Sequence, residues 1–158
     1  MKLSCSKNLL IEALGLASKA ASSRATMPIL ECCLLIADSS GLKIIANDLE
    51  MAIETAAIES EIIEEGSIAL DIKVFSDIVR GLSSSLIEIS SDEKFLTTIK
   101  SGKSEFKILG ANPADFPVLP EVSKAQSLKI SSNEFRNMIK QTVFSVSQDA
   151  SKPFYAVF

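Results

Sequence analysis

The sequence predicts an α+β domain in which short antiparallel strands pack against amphipathic helices. Two stretches, 2–20 and 67–81, each run from a short strand through a polar residue into a segment with apolar residues at helical spacing. The strand-like segments between them are separated by hairpin-sized turns, for example at 38–41 and 101–102, which favour antiparallel meanders over parallel crossovers. Hydrophobic residues make up 47% of the chain, enough to bury a core.

Three helices are predicted, each after a polar cap. Ser6 is the expected cap of the first helix, and Asp71 caps the second, which ends at Gly81. A third copy of the strand-to-helix layout at 127–143 has Ser131 as its cap, with Glu134 placed as in a capping box. The expected apolar stripes are Leu10, Ala13, Leu14 and Ala17 in the first helix, Val74, Phe75, Ile78 and Val79 in the second, and Phe135, Met138 and Ile139 in the third.

The remaining apolar segments indicate strands and a domain boundary. Strands are predicted at 29–37, 42–47, 51–59, 86–90, 95–100 and 105–109, so that one strand, one helix and three strands form a unit used twice. Pro113, Pro117 and Pro120 interrupt regular structure and predict an extended connector at 110–121. We therefore expect a first domain at 1–121, and at 122–158 the truncated start of a second domain, since the chain stops within an apolar strand.

Composition argues against an enzyme and against a membrane protein. The chain has no histidine, the commonest general base and metal ligand, so no catalytic residue, metal site or cofactor is expected. No apolar run approaches the roughly 18 residues of a membrane span, and the N-terminus lacks the pattern of a secretory signal. A cytoplasmic location without membrane association is expected. Cys5, Cys32 and Cys33 lie in apolar strand contexts and are interpreted as core thiols.

Charge is segregated by element, although the net charge is -4. Lys73, Asp77 and Arg80 fall opposite the apolar stripe of the second helix, and Arg136 and Lys140 are spaced by four on the third. Acidic residues crowd the strand regions instead. Helices that share one side of the molecule would present a positive surface to a phosphate backbone without reading bases. The alternative for any single cation is an ordinary solvated surface.

Several short motifs, taken together, resemble one bacterial family. They are RATMPIL at 24–30, NDLE at 47–50, RGL at 80–82, KSG at 100–102, ADFP at 114–117 and FSVSQD at 144–149. Their order and spacing resemble the N-terminal portion of the DNA polymerase III beta subunit, the DNA sliding clamp, over the whole chain. The resemblance implies a non-catalytic processivity factor of the replicative polymerase. Such a protein has three similar domains, closes head to tail into a dimeric ring around duplex DNA, and places helices inside and sheets outside.

The resemblance also implies site residues and partners. Positions matching the family's DNA contacts are Arg24, Lys73, Gln148, Lys152 and Phe154, and charge alone adds Arg80, Arg136 and Lys140. The strand carrying Lys100, Lys103 and Glu105 matches one half of the ring interface, where Glu105 replaces a basic residue of some relatives and is expected to invert an ion pair. The cleft that binds polymerase and clamp-loader peptides would lie later in the chain. The ring would act at replication forks on the nucleoid.

Two other functions remain open from the residues. One is a protein-interaction domain with clamp-like topology and no DNA role, which salt-dependent DNA association would exclude. The other is a small carboxylate-dependent enzyme that uses the Asp48 and Glu50 region, although no companion base, phosphate loop or metal-ligand spacing accompanies it. Asp48, Glu50 and Glu54 as metal ligands are disfavoured, because charges alternating along a strand usually face solvent. Even as part of a clamp, the chain alone is expected to bind DNA weakly, because retention depends on ring closure. Its exposed half-domain is expected to exchange or add strands between copies.

Overall fold

The computed structural model describes residues 1–21, 27–117, 119 and 128–146, which belong to two compact units. Unit 1 comprises Met1–Leu119, and unit 2 comprises Pro120–Phe158. The described part of unit 1 contains two antiparallel sheets and two α-helices, whereas the described part of unit 2 contains one α-helix and a short 3₁₀ turn.

All pairings between named strands are antiparallel, which confirms the predicted α+β class. The strands are β1 Lys2–Ser6, β2 Cys32–Asp38, β3 Gly41–Asn47, β4 Ala52–Glu54, β5 Ser60–Glu64, β6 Gly66–Asp71, β7 Leu86–Ser91, β8 Leu96–Ser101 and β9 Ser104–Leu109. They form a five-stranded sheet in the order β5-β1-β7-β8-β9 and a four-stranded sheet in the order β4-β3-β2-β6. The helices are α1 Lys7–Ala17, α2 Ile72–Gly81 and α3 Ser132–Thr142.

The core of unit 1 lies between the sheets and the two helices. α1 contacts β1 and β3, α2 contacts β2 and β6, and the helices contact each other. Leu3, Leu10, Leu70, Phe75 and Ile99 are fully buried there. Each large side chain of this kind stabilises the fold by about 1.5–3 kcal/mol relative to leaving it exposed. The two helices are therefore fixed against the sheets by apolar packing, which leaves their opposite faces free.

The predicted stripe of α1 is confirmed in full, but that of α2 is partly wrong. The buried residues of α1 are Leu10, Ala13, Leu14 and Ala17, as predicted. In α2 the buried positions are Ile72, Phe75, Ser76 and Val79, a regular i, i+3, i+4, i+7 set. Val74 is instead 46% exposed. The helix begins at Ile72, and it is Ile72, not Val74, that faces the core in the first turn.

One of the three predicted caps is made by the side chain. The Asp71 carboxylate accepts a hydrogen bond from the Val74 amide at 2.8 Å, so this prediction is confirmed. Ser6 and Ser131 occupy the N-cap positions, but neither side chain accepts a capping hydrogen bond, and the predicted capping box at Ser131 is wrong. The Ser131 carbonyl accepts from Phe135 at 2.9 Å, so the helix starts there through its backbone alone.

Two predicted strands begin or divide elsewhere. The strand predicted at 29–37 starts only at Cys32, because Pro28–Glu31 form a 3₁₀ turn whose proline occupies the favoured first position. The strand predicted at 51–59 is reduced to β4 and an isolated bridge between Leu42 and Ile58. β5, which follows it, was missed because its glutamates obscure the alternation expected of a strand.

The third strand-to-helix copy lacks its strand in the described residues. Residues 128–131 have no strand pairing, and α3 follows them directly. Its predicted stripe is not buried, since Phe135 is 50% and Met138 55% exposed. The prediction was incomplete because a strand needs a neighbouring strand to pair with, and the described part of unit 2 offers none.

The cysteines are core thiols with one exception. Cys5 and Cys33 are buried, whereas Cys32 is partly exposed. Burial raises the pKa of Cys5 to about 11 and raises the pKa of Cys33 further. The pKa of Cys32 is raised by burial and then by the nearby carboxylates of Asp71 and Glu31. In the ranges that the structure describes, no helix is long and apolar enough to cross a bilayer.

Candidate nucleic-acid interface

The exposed face of α2 carries the cations that the sequence indicated. Lys73 lies in the first turn and Arg80 in the last turn, and both side chains are exposed. Their position follows from the buried stripe, because packing of Phe75 and Val79 against the sheets turns these two residues outward. The predicted placement of Lys73, Asp77 and Arg80 on one exposed face is therefore observed.

A carboxylate moderates the charge of this face. Arg80 Nη1 lies 3.7 Å from Asp77 Oδ1, and both side chains are more than half exposed. Such an exposed pair contributes little to stability, about 0.2–0.5 kcal/mol. The exposed face of α2 thus carries two cations and one anion. Such a face attracts phosphate groups only weakly, and the attraction does not depend on the base sequence of a nucleic acid.

A groove runs along this face beside the end of α1. It has a volume of about 460 Å³ and is lined by Ser18 of the 3₁₀ turn after α1, by Glu31, and by Lys73, Asp77 and Arg80 of α2. Both carboxylates and cations line it, so the groove has no single sign of charge. Ser76 also lines it, and its hydroxyl oxygen has no hydrogen-bond partner among the described residues.

Lys7, a cation of the first helix, serves a different purpose. Its ammonium donates to the carbonyl oxygen of Arg80 at 3.2 Å and to that of Leu82, at the C-terminal end of α2. Helix C-termini carry unpaired carbonyls and a partial negative charge, so a cation is favourable there. Lys7 is therefore engaged within the fold, and it joins the start of α1 to the end of α2.

The acidic residues that the sequence assigned to strand regions lie away from α2. Glu61 and Glu64 belong to β5, Glu59 and Glu65 flank it, and Asp92 lies in the turn between β7 and β8. The strand regions of unit 1 therefore carry most of the acidic residues that the sequence assigned to them, although Asp77 lies on the exposed face of α2 itself. The net charge of the whole chain, -4, therefore differs in sign from the charge of the exposed α2 face, where Lys73 and Arg80 outnumber Asp77.

One of the carboxylates considered for chemistry, that of Asp48, has structural partners. Asp48 Oδ1 accepts from the amides of Glu50 at 3.0 Å and Met51 at 2.7 Å, and these bonds lower its pKa. This is a turn stabilised by its own side chain. Within the described part of the chain, no three His, Cys, Asp or Glu side chains are grouped so as to hold a metal ion.

Two further predicted cations lie in unit 2. Arg136 and Lys140 are exposed on one face of α3 and line a groove of about 470 Å³ together with Phe135 and Ile139. The i, i+4 spacing accounts for this shared face. The other predicted DNA contacts, Arg24, Gln148, Lys152 and Phe154, lie outside the described residues.

The predicted interface residues surround a free sheet edge. β9 pairs with β8 and ends the five-stranded sheet. Glu105 lies opposite Lys100, with the Lys100 Nζ to Glu105 Oε2 distance at 3.1 Å, and Lys107 Nζ lies 3.4 Å from its other oxygen. Hydrogen bonds from Lys100 and then Lys107 lower the pKa of Glu105. Lys103 is exposed in the hairpin turn before β9.

Two apolar residues of this edge were missed by the sequence reasoning. Phe106 is 43% exposed although it lies opposite the buried Ile99, because β9 is the edge strand of its sheet among the described residues. Leu109, opposite Leu96, is 75% exposed. Their signal in the sequence was the presence of large apolar side chains at both parities of one strand, which indicates contact on both faces or at the edge.

Solved structures share this architecture. The described fold matches the DNA polymerase sliding clamp from Bacillus subtilis with a TM-score of 0.91 and 33% identity, over 97% of this chain and 42% of that one. A putative DNA polymerase III beta subunit from Eubacterium rectale matches with a TM-score of 0.89 and 42% identity, over 94% of this chain and 40% of that one. The fold is thus the one found in sliding clamps.

Sequence comparison gives the family. Residues 1–120 match the model of the DNA polymerase III beta subunit, N-terminal domain, and the chain belongs to this family. The beta sliding clamp of Bacillus subtilis strain 168 is 34% identical over 160 residues, 97% of this chain and 42% of that protein. That of Halalkalibacterium halodurans is 35% identical over 93% of this chain and 40% of its own length. The chain therefore spans about two fifths of the curated relatives it matches.

Proposed function

We propose that the chain supplies the first domain of a sliding clamp, a ring that encircles duplex DNA and tethers the replicative polymerase. The observation that carries the proposal is the exposure of Lys73 and Arg80 on α2, in a member of this family whose net charge is -4. An α2 face of weak positive charge suits contact that tracks phosphates and permits sliding. Arg24, Arg136, Lys140, Gln148, Lys152 and Phe154 are proposed to add to the same DNA-contacting surface.

The domain organisation is part of the proposal. We propose a first domain at 1–121 that includes its connector, followed at 122–158 by the start of a second domain of the same type. The compact unit Met1–Leu119 and the family match over 1–120 both support a boundary close to this point. The protein is proposed to be a non-catalytic accessory subunit in the cytoplasm, active at replication forks.

The ring interface is proposed to form through β9. β9, which forms a sheet edge in the part of the chain that the structure describes, offers backbone pairing and the apolar area of exposed Phe106 and Leu109 to an edge strand of a second protomer. Lys100, Lys103 and Glu105 would set the electrostatics of that edge. Polymerase and clamp-loader peptides are proposed to bind through a cleft later in the full-length protein.

Retention on circular and linear DNA tests ring function directly. A full-length protein that contains residues 1–158 is loaded by its clamp loader onto nicked circular DNA, and protein that remains on the DNA is measured by gel filtration. We expect stable retention on circles and loss of the protein after the DNA is linearised. Equal behaviour on both forms would favour a clamp-like interaction domain with no DNA role.

The role of α2 is tested separately from ring closure. Lys73→Ala combined with Arg80→Ala is compared with Lys94→Ala, which removes an exposed lysine from the turn between β7 and β8. Each lost phosphate contact lowers the slope of log affinity against log salt by about 0.9. We expect the double variant to show a shallower slope and the control to keep the original one. Identical slopes would mean that α2 does not contact phosphate.

The ion-pair inversion at the interface has its own test. Glu105→Arg in the full-length protein is compared with Glu93→Arg, an exposed position in the turn between β7 and β8. If Glu105 faces a basic residue of the partner protomer, its reversal weakens dimerisation, and analytical ultracentrifugation measures the change. Unchanged dimer affinity would exclude an ion pair between Glu105 and a basic residue of the other protomer. It would indicate that Glu105 pairs only with Lys100 and Lys107 of its own chain.

A further inference from the structure

Unit 1 has an apolar groove on the outer face of the four-stranded sheet, and none of the residues that line it belongs to α2 or β9. It has a volume of about 690 Å³ and lies between β2, the start of β6 and the 3₁₀ turn Pro113–Asp115. Its floor is formed by Leu34 and Ile36, which are only partly buried although they share a face with buried Ile45 and Ala69. This connector groove therefore leaves apolar surface of a sheet uncovered.

The connector covers one end of this sheet face and leaves the other end open. Ala111 pairs with Ala69 of β6, with the Ala111 amide donating to the Ala69 carbonyl at 2.8 Å. The approach at this point is close, because a Cβ on Gly110 would lie 2.7 Å from the Ala69 oxygen. Phe116 then packs on Ile45 and Ala69 and is 5% exposed. Pairing stops beyond this bridge.

Parity along β6 shows which backbone groups face the groove. Because Ala69 uses its amide and carbonyl toward Ala111, the residue two positions earlier, Ser67, points its own amide and carbonyl toward the same edge. The antiparallel partner of Ser67 would be position 113, which is a proline without an amide hydrogen and which starts a 3₁₀ turn. Ser67 therefore presents an amide donor and a carbonyl acceptor beside the apolar floor.

The charges around the groove are predominantly negative. Asp38 and Lys43, which flank Ile36, pair with each other at 3.7 Å. Glu65 lines the groove, and Asp115 lies in the 3₁₀ turn beside it. Neither of these two carboxylates forms an ion pair with another residue in the part of the chain that the structure describes. A positively charged segment is the complementary occupant.

We infer that the connector groove binds an extended segment of a partner protein, with apolar side chains on Leu34 and Ile36 and a basic side chain facing Glu65. The backbone of the segment pairs with the amide and carbonyl of Ser67, as in other complexes where a peptide adds to a sheet edge. This surface lies wholly within unit 1. It goes beyond the proposed clamp function, because it involves neither the α2 face nor the β9 edge.

A pair of synthetic peptides provides the probe. The first peptide is fluorescein-labelled Gly-Ser-Lys-Leu-Thr-Leu-Lys-Ser-Gly, in which two leucines alternate with polar residues and one lysine lies on each side of them. The second peptide, its acidic twin, has glutamate in place of both lysines. Fluorescence anisotropy with the 158-residue chain measures affinity, and amide chemical shifts locate the peptide. We expect saturable binding of the basic peptide, at least about tenfold tighter than its twin, with shifts centred on Ile36 and Ser67.

Two variants and one control variant separate binding at this surface from nonspecific attraction. Glu65→Lys is expected to weaken the basic peptide by about tenfold and to strengthen its acidic twin, since it reverses one close charge. Glu93→Lys makes the same exchange at an exposed position in the turn between β7 and β8, and it is expected to leave both affinities unchanged. Ser67→Pro removes the amide hydrogen at the edge of β6, and it is expected to weaken binding of both peptides. Amide spectra of each variant establish that it is folded.

Three outcomes would overturn the inference. They are the absence of saturable binding up to millimolar peptide, equal effects of Glu65→Lys and Glu93→Lys, and chemical-shift changes centred on β9 or α2. Shifts at Ile36 and Ser67 that depend on protein concentration without peptide would assign the groove to a second copy of this chain. If the connector groove binds no peptide, retention of the full-length protein on circular DNA is still expected. The two experiments therefore test the groove and the clamp function separately.

Discussion

The ammonium of Lys7 lies 3.2 Å from the carbonyl oxygen of Arg80 and also donates to that of Leu82. One side chain at the start of α1 thus holds the backbone at the end of α2. The same residue fixes the chain a second time, because its amide donates to the Ser85 carbonyl at 2.8 Å. The relative position of the two helices therefore depends on a charged contact as well as on the apolar core beneath them.

Removing this contact should lower stability. Lys7→Met keeps most of the apolar stem and removes the charge, and we expect the free energy of unfolding to fall by about 1–2 kcal/mol. Urea unfolding followed by circular dichroism measures the change. Lys19→Met, at an exposed position after α1, is the control and should stay within about 0.5 kcal/mol of the parent. Equal losses in both variants would mean that the capping contact contributes nothing.

The cap of α2 gives a second prediction. Asp71→Ala removes the acceptor of the Val74 amide and should cost about 1 kcal/mol of unfolding free energy. Asp77→Ala on the same helix removes only an exposed ion pair with Arg80, worth a few tenths of a kcal/mol. Chemical denaturation of both variants tests the ranking. A larger loss for Asp77→Ala would contradict the assignment of Asp71 as the cap.

The Glu105 carboxylate should titrate below its usual range because Lys100 and Lys107 donate to it. A folded-state pKa below the unfolded value of about 4.3 adds stability above that pH, and the contribution is lost as pH falls through the folded pKa. The carboxylate is fully exposed, so the effect on stability is small and the titration midpoint is the better readout. Carboxyl ¹³C NMR should show the midpoint rising toward the usual value in Lys100→Gln. An unchanged midpoint would contradict this cause.

The helices were predictable because their signals are local. The apolar stripe of α1 and the Asp71 cap require only residues within one or two turns, and both are observed. The Ser6 and Ser131 caps failed because a capping rotamer competes with other side-chain conformations, which sequence spacing does not determine. β5 was missed because its glutamates obscure the alternation of a strand, and because its pairing with β1, which joins residues about sixty positions apart, leaves no local signal.

The candidate site was only partly predictable. The exposed positions of Lys73 and Arg80 follow from helical periodicity. The role of Lys7 depends on a contact across 73 positions in sequence, and no local pattern distinguishes it from a lysine on a solvated face. The pairing of Glu105 with Lys100 could be predicted, because the hairpin register places the two residues opposite each other. The exposure of Phe106 could not, because it depends on β9 being the edge strand of the sheet.

Phe116→Ala should release the connector from unit 1 more than it unfolds the domain. A buried phenylalanine truncated to alanine costs about 3–5 kcal/mol when the surrounding structure stays in place. Phe116 belongs to a small cluster with Ile45 and Ala69, outside the main core, so the segment can detach locally and limit the global loss. The Ala111 amide, which donates to Ala69, should then exchange with solvent much faster, while the amides of β2 and β3 keep their protection.

Hydrogen exchange followed by NMR measures this difference, with Phe106→Ala as the control. Phe106 is 43% exposed on β9, and its truncation should leave exchange at Ala111 unchanged. Because the 3₁₀ turn Pro113–Asp115 forms one wall of the connector groove, the Phe116→Ala variant should also lose affinity for the basic peptide, and the control should keep it. Faster exchange throughout β2 and β3 in Phe116→Ala would instead show that the connector and the core unfold as one cooperative unit.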